Sequence, residues 1–141
     1  MEFEKTSCVA KVQNLSLVTE FVEECADRSN LEAAKKYGLL IAVEEAFVNV
    51  CSYAYPDGEG ELEIICGADK NGFVLEISDS GLPFDITLLP DPDTTLDVMD
   101  RDIGGLGVFF IRKFSDEVSY RREKGRNILR LSFKYPQESL Q

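Results

Sequence analysis

The sequence predicts an α+β fold: a two-layer sandwich in which about three helices cover one face of a mixed, mostly antiparallel sheet of about five strands. Three observations predict it. Two stretches with helical apolar spacing follow one another before residue 55. Short strand-like runs then come in two pairs, each joined by turn residues, so hairpins rather than crossovers link them. A third, shorter helical run separates the two pairs. The order is β-α-α-β-β-loop-α-β-β.

Residues 2–12 alternate loosely and predict an edge strand. Asn14 is the expected N-cap of a helix over 15–28. There Leu15, Val18, Val22 and Cys25 recur at helical spacing, while Glu20, Glu23, Glu24 and Asp27 fill the other side. Asn30 is the expected cap of a longer helix, about 31–54, which the turn Pro56-Asp57-Gly58 ends. Leu39, Val43, Ala46, Phe47 and Val50 give this helix an apolar face. The opposite stripe, Ile41, Glu45, Val48, Asn49 and Ser52, is not a solvated one. The late half of the helix is therefore expected to be covered on both sides, with Glu45 and Asn49 one turn apart and facing a pocket.

Residues 61–69 and 72–79 read as strands around an Asn71-Gly72 hairpin turn. About eighteen residues follow, Ile86 to Ile103, with Pro90, Pro92, five aspartates and three threonines. A stretch of this length and composition predicts a lid or binding loop. Residues 106–114 suit a short helix. Glu117–Glu123 and Asn127–Tyr135 read as strands joined by Lys124-Gly125-Arg126. The expected organisation is one domain over 1–135 and a frayed tail over 136–141.

Composition narrows the function. The formal net charge is −11, which disfavours a nucleic-acid-coating surface but not the binding of one nucleotide through Mg²⁺ and backbone N–H groups. The four cysteines, Cys8, Cys25, Cys51 and Cys66, include no CxxC pair, so neither a zinc nor a dithiol motif is expected. Three of them lie within apolar patterns and are expected as small buried side chains, in a reducing cytoplasm. The first residues lack the basic-then-apolar order of a secretory signal, and no apolar run approaches the ~20 residues of a membrane span. The chain contains no histidine. That excludes Ser-His-Asp or Cys-His machinery and a phosphohistidine relay within it.

Three short segments carry the chemistry. Glu45 and Asn49 sit one helical turn apart. An amide oxygen can ligate Mg²⁺, and a carboxylate one turn earlier can take the proton of an attacking hydroxyl. Asp79 ends a strand and is followed by Ser80-Gly81-Leu82-Pro83-Phe84-Asp85. A carboxylate there can accept from an exocyclic amine such as that of adenine, and Gly81 lets a flat ring approach the backbone. The same residues would also serve a plain turn. Gly104-Gly105-Leu106-Gly107 precedes the apolar run Val108-Phe109-Phe110-Ile111, so its N–H groups can converge on phosphate at a helix start. No GK[ST] follows and no GxGxxG after a strand is present, which disfavours a P-loop or a dinucleotide fold. Arg101, just before the glycines, either reaches a terminal phosphate or is a surface charge.

In this order and spacing, the segments resemble the N, G1 and G2 boxes of the GHKL (Bergerat-fold) ATPase superfamily, which includes DNA gyrase and the sensor histidine kinases. The single-domain length, Glu44-Glu45-Ala46-Phe47-Val48-Asn49 and Tyr53-Ala54-Tyr55 most resemble its anti-sigma-factor serine/threonine-kinase branch. The resemblance implies a Bergerat-type sandwich with an ATP lid at about 86–103. It implies Glu45 as general base and Asn49 as Mg²⁺ ligand. Asn49, Tyr53, Asp79, Gly81, Phe84, Arg101, Gly104, Gly105, Leu106, Gly107 and Val108 would surround the nucleotide. It implies ATP and Mg²⁺, a small anti-sigma-antagonist (STAS-type) protein as phosphoacceptor, a sigma factor as a further partner, and a homodimer. The alternative is a non-catalytic switch that binds protein according to ATP or ADP state. The chain departs from the branch in two places. Tyr53 stands where many members have histidine, and Gly125-Arg126-Asn127 is the nearest match to a late Gly-Thr beside adenine.

Overall fold

The computed structural model describes residues 3–88 and 103–136, with only the backbone of 103–106. Its elements are β1 (Glu4–Val9), α1 (Leu15–Arg28), α2 (Ala33–Tyr53), β2 (Glu61–Ala68), β3 (Gly72–Asp79), α3 (Ile103–Phe114), β4 (Glu117–Glu123) and β5 (Arg126–Lys134). Two 3-10 turns, Val12–Asn14 and Ile86–Leu88, complete the order.

The strands form one sheet in the order β1-β2-β3-β5-β4. Every neighbouring pair is antiparallel. The expected mixed character is therefore absent among the described residues: hairpins supply β2–β3 and β4–β5, and β3 meets β5 head to tail. Side chains alternate across each strand. One face presents Leu62, Ile64, Cys66, Phe73, Leu75, Ile77, Leu129, Leu131 and Phe133. Against them pack Val18 and Val22 of α1, Leu39, Val43 and Phe47 of α2, and Val108 and Ile111 of α3. This shared core holds the two layers together. The other face carries a polar ladder in which Arg121 and Arg130 both reach Glu76.

Two capping expectations are corrected. Asn14 does precede α1, but its side chain makes no cap bond. Its Nδ2 instead donates to Val9 O at 2.8 Å, tying the helix entry to the end of β1. Asn30 does not cap α2. It takes φ 57° and closes α1, its N–H donating to Asp27 O while that of Leu31 reaches Ala26 O. Asparagine tolerates the left-handed region that ends a helix in this way. Glu32 precedes α2 without a side-chain cap.

The helix after the long loop begins earlier than 106. Gly104, Gly105, Leu106 and Gly107 lie within α3, as its first turns, rather than ahead of it. α3 packs antiparallel to α2. Phe114 at its far end lies against Gly38, where an added Cβ would meet the ring at 3.0 Å. Gly107 at its near end lies against Glu45 and Asn49. Small residues at both ends let the two helix backbones approach closely. α3 thus covers the unsolvated stripe of α2 at Glu45 and Asn49, while Ser52 at the end of that stripe is exposed. The loop expected over 86–103 opens as an ordered 3-10 turn, in which Asp85 Oδ1 accepts from Thr87 N at 2.9 Å. Its remainder, with Arg101, lies outside the described residues.

Candidate nucleotide-binding site

A pocket of about 440 Å³, counted with its open mouth, lies between the C-terminal half of α2 and the ends of β3 and β5. Its walls are mainly apolar: Ala46, Val50, Ile77, Ile86 and Leu129. Asn49, Asp79 and Asn127 are the amide and carboxylate groups among the residues lining it. A mainly apolar slot with few polar groups suits a flat heteroaromatic ligand. Tyr53 and Phe84 stack beside it with ring centroids 5.8 Å apart, so two aromatic faces border the opening.

Asp79 is 5% exposed. Its Oδ1 accepts from Gly81 N and from Asn127 Nδ2, both at 2.9 Å. No described residue donates to Oδ2. One carboxylate oxygen is therefore held by the fold, and the other is left open. Gly81 seats this turn against the end of α2. An ideal Cβ on Gly81 would lie 2.2 Å from Ala54 O, the carbonyl that accepts from Leu82 N at 2.9 Å. Tyr55 braces the same turn, accepting from Ser80 N at 2.8 Å and donating to Glu61 O at 2.6 Å.

At the other end, Asn49 is nearly buried and Glu45 half-buried. Asn49 Nδ2 donates back to Glu45 O at 2.9 Å, which leaves its amide oxygen as the free acceptor. Glu45 has no ion-pair or hydrogen-bond partner on its carboxylate among the described residues. Burial pushes its carboxyl above the ordinary range, and the neighbouring Glu44 pushes it the same way. Both side chains face the start of α3: an ideal Cβ on Gly107 would lie 3.1 Å from Asn49 Nδ2 and 3.1 Å from Glu45 Oε2. Helix starts offer unpaired N–H groups to anions.

This donor set fits Mg²⁺ better than a caged metal. No cluster of three or more His, Cys, Asp or Glu side chains that could hold a metal occurs among the described residues. A single amide oxygen suits an ion that keeps several waters and takes its remaining ligands from phosphate.

The expected site residues separate into groups. Asn49, Tyr53, Asp79 and Phe84 line one pocket, and Gly81 shapes its turn. Glu45 and Gly107 stand beside Asn49. Val108 is 2% exposed and packed in the core, and it lies beyond the first turn of α3, where a backbone N–H is already taken by the helix. The backbones of Gly104, Gly105 and Leu106 lie in the first turns of α3.

The resemblance brought Asn127 only as part of the nearest match to a late Gly-Thr beside adenine; its place as a hub behind Asp79 was not read from the sequence. Asn127 Nδ2 donates to Asp79 Oδ1 and, at 2.8 Å, to Leu82 O. Its Oδ1 accepts from Tyr120 OH at 2.5 Å, Arg122 Nη1 at 3.0 Å and Phe84 N at 3.3 Å. A signal was available. Asn127 shares the inward register of β5 with Leu129, Leu131 and Phe133, and an amide on an apolar stripe requires partners.

A model of the histidine kinase-like ATPase domain family matches residues 8–133. The chain belongs to that family. The match spans both ends of the pocket and every strand that frames it. Among curated proteins, this histidine kinase-like ATPase is similar to the serine-protein kinase RsbW of Bacillus cereus strain AH820. The two are 24% identical over 124 residues, covering 85% of this chain and 78% of the relative. RsbW of Bacillus thuringiensis strain Al Hakam matches with the same identity and coverage. The resemblance to the anti-sigma kinase branch thus extends over most of the chain. No helix among the described residues is long and apolar enough to cross a membrane.

Gly107 gives a direct test of how closely α3 approaches the paired side chains. In Gly107→Ala, helix propensity improves by up to ~1 kcal/mol, while the new methyl presses on Asn49 and Glu45. The expected result is an undiminished melting temperature with ATP affinity in the presence of Mg²⁺ lowered about tenfold or more, because small displacements at such sites are costly. Unchanged nucleotide affinity would mean that the two side chains lie outside the phosphate site.

Proposed function

We propose that the chain is a Mg-ATP-dependent regulatory protein serine/threonine kinase of the anti-sigma type. Residues 1–135 would act as its one ATPase domain. The observation that carries this reading is that Asn49 and Asp79 line the same pocket, with Glu45 one turn before Asn49 against the start of α3. A nucleotide whose base meets Asp79 would then direct its phosphates toward Asn49.

In this reading the pocket walls, Tyr53 and Phe84 hold the base, and the open oxygen of Asp79 accepts from its amine. Gly104 and Gly105, in the first turn of α3, would present backbone N–H groups to the phosphates, with Leu106, Gly107 and Val108 following in the helix beside them. Arg101 is a further candidate for the terminal phosphate. Asn49 Oδ1 would supply one metal ligand. Magnesium, when bound, neutralises charge on the phosphate oxygens. Glu45 accepts the proton as a serine or threonine oxygen bonds to the γ-phosphorus and the bond to the β–γ bridging oxygen breaks, releasing ADP. A carboxyl whose affinity for protons is raised by burial is better matched to that task than an exposed one.

The phosphoacceptor would be a small anti-sigma-antagonist protein of the STAS type. A sigma factor would be a second partner, and the working form a cytoplasmic homodimer. The support for these partners is the resemblance to the kinase branch. The test is to incubate the full chain with labelled ATP, Mg²⁺ and candidate antagonist proteins. Label on an acceptor serine or threonine is the expected result. Nucleotide binding with no transfer to any candidate would remove the kinase reading.

The alternative, a non-catalytic ATP/ADP switch, is favoured by one observation. Arg112 of α3 donates to Thr87 O at 2.5 Å, coupling the helix beside the proposed phosphate site to the start of the loop. Transfer activity that depends on Glu45 would exclude a purely non-catalytic role.

A further inference from the structure

We infer that Asn127 makes the pocket selective for adenine over guanine, by occupying one oxygen of Asp79 so that only the other meets the base. The inference rests on the nucleotide reading of the pocket. Its basis is the valence of the carboxylate. An ionised carboxylate has two oxygens, and with both open it can take two parallel donors at once. Guanine offers such a pair, its ring N–H and adjacent amine. Adenine offers a single amine there, next to a ring nitrogen that only accepts.

In this protein Oδ1 is already engaged by Gly81 N and Asn127 Nδ2, each at 2.9 Å. Only Oδ2 has no donor among the described residues. The pocket therefore presents one acceptor and suits one donor. A guanine placed there would leave one of its paired donors without a partner inside a largely apolar pocket, which is unfavourable.

Asn127 can do this only if its amide is held the right way round. Turned over, its oxygen would face the carboxylate, acceptor against acceptor. Three donors on Oδ1 prevent that: Tyr120 OH, Arg122 Nη1 and Phe84 N. Two belong to β4, the edge strand, and the third to the turn that follows β3. Arg122 also donates to Gly81 O at 3.0 Å, so it fixes both the amide and the turn. Asn127 is 6% exposed, which shields these bonds from water. It is a positioning residue: its effect on the base is exerted through Asp79.

The test compares ADP and GDP binding to the full chain with Mg²⁺, by titration calorimetry, for wild type, Asn127→Ala and the double variant Tyr120→Phe/Arg122→Ala. Thermal melts establish folding. The expected wild type prefers ADP strongly. In Asn127→Ala, Oδ1 regains an open position, and the ratio of ADP to GDP affinity falls at least about tenfold, equivalent to ~1.4 kcal/mol. The double variant keeps the amide but frees it to turn, and the ratio falls less. A merely structural role for Asn127 would weaken both nucleotides equally, so an unchanged ratio in the folded variants overturns the inference while leaving the nucleotide reading intact. Wild type that binds both equally also overturns it. Binding of neither overturns the nucleotide reading itself. If Asn127→Ala does not fold, the ratio in the double variant decides.

Discussion

Glu45→Gln is expected to bind nucleotide within a few fold of wild type, to lose phosphoryl transfer by at least ~10²-fold, and to melt at a higher temperature near neutral pH. The three outcomes have one cause. Glu45 is absent from the lining of the base pocket, so ground-state binding has little need of it. Its carboxylate is half-buried with no partner among the described residues. Burial first, and Glu44 second, raise its affinity for a proton. A folded-state value above the unfolded one means that the native protein holds the proton more tightly. The resulting stabilisation is fully present below the unfolded value, near 4.5, and is lost as pH rises through the folded value. At neutral pH the charge is therefore a burden on the fold, and the neutral amide relieves it. Below about pH 4, where the wild-type carboxyl is also neutral, the two melting temperatures converge. Transfer at the wild-type rate would remove Glu45 as the base. Equal melting temperatures near neutral pH would show that its burial costs nothing. Functional groups held at a cost to stability are a common trade.

Gly81→Ala is the second large effect. The added methyl would stand 2.2 Å from Ala54 O and 2.6 Å from the carbonyl carbon. Both are backbone atoms that no rotamer change can move aside. The turn must lift, which breaks the bond from Leu82 N to Ala54 O and the bond from Gly81 N to Asp79. A loss of about 2–3 kcal/mol in urea unfolding is expected, with ADP affinity lowered at least about tenfold. Gly58→Ala is the matched control, since its Cβ would meet nothing within 4 Å. It should stay within about 0.5 kcal/mol of wild type. If Gly81→Ala unfolds like the control and keeps its affinity, the close seating of strand end on helix end is not what shapes the pocket.

The strands were legible where alternation and turn chemistry agreed. The 72–79 and 117–123 segments match the observed bounds because a glycine-containing turn ends each pair and the inward positions are apolar. The two-sided cover of α2 was legible from the composition of its second stripe, and α3 supplies that cover. The capping residues were not. Asn14 and Asn30 each stand beside a helix end, but their bonds go to β1 and to the close of α1, and local sequence does not distinguish these uses. Glu45, Asn49 and Asp79 were legible because each combines a polar group with an apolar setting. Asn127 met the same criterion, but it entered only through the resemblance, as part of an imperfect match to a late Gly-Thr, and not as a residue of the site. Its partners Tyr120 and Arg122 come from the neighbouring strand, so their convergence depends on the β4–β5 register rather than on any local pattern.

The register of β3 against β5 pairs Asp79 with Asn127, and this bears on when the pocket can come into being. α2 and the β2–β3 hairpin precede residue 80, while α3 and the β4–β5 hairpin follow residue 102. Each half can gather its own contacts early, because hairpins and adjacent helices close short loops. The base-binding carboxylate lies in the first half and the amide that orients it in the second. No complete pocket exists until the two halves have joined along β3 and β5. A ligand that needs both halves stabilises only the joined state, so its binding energy adds to global stability and gives nothing to either half alone.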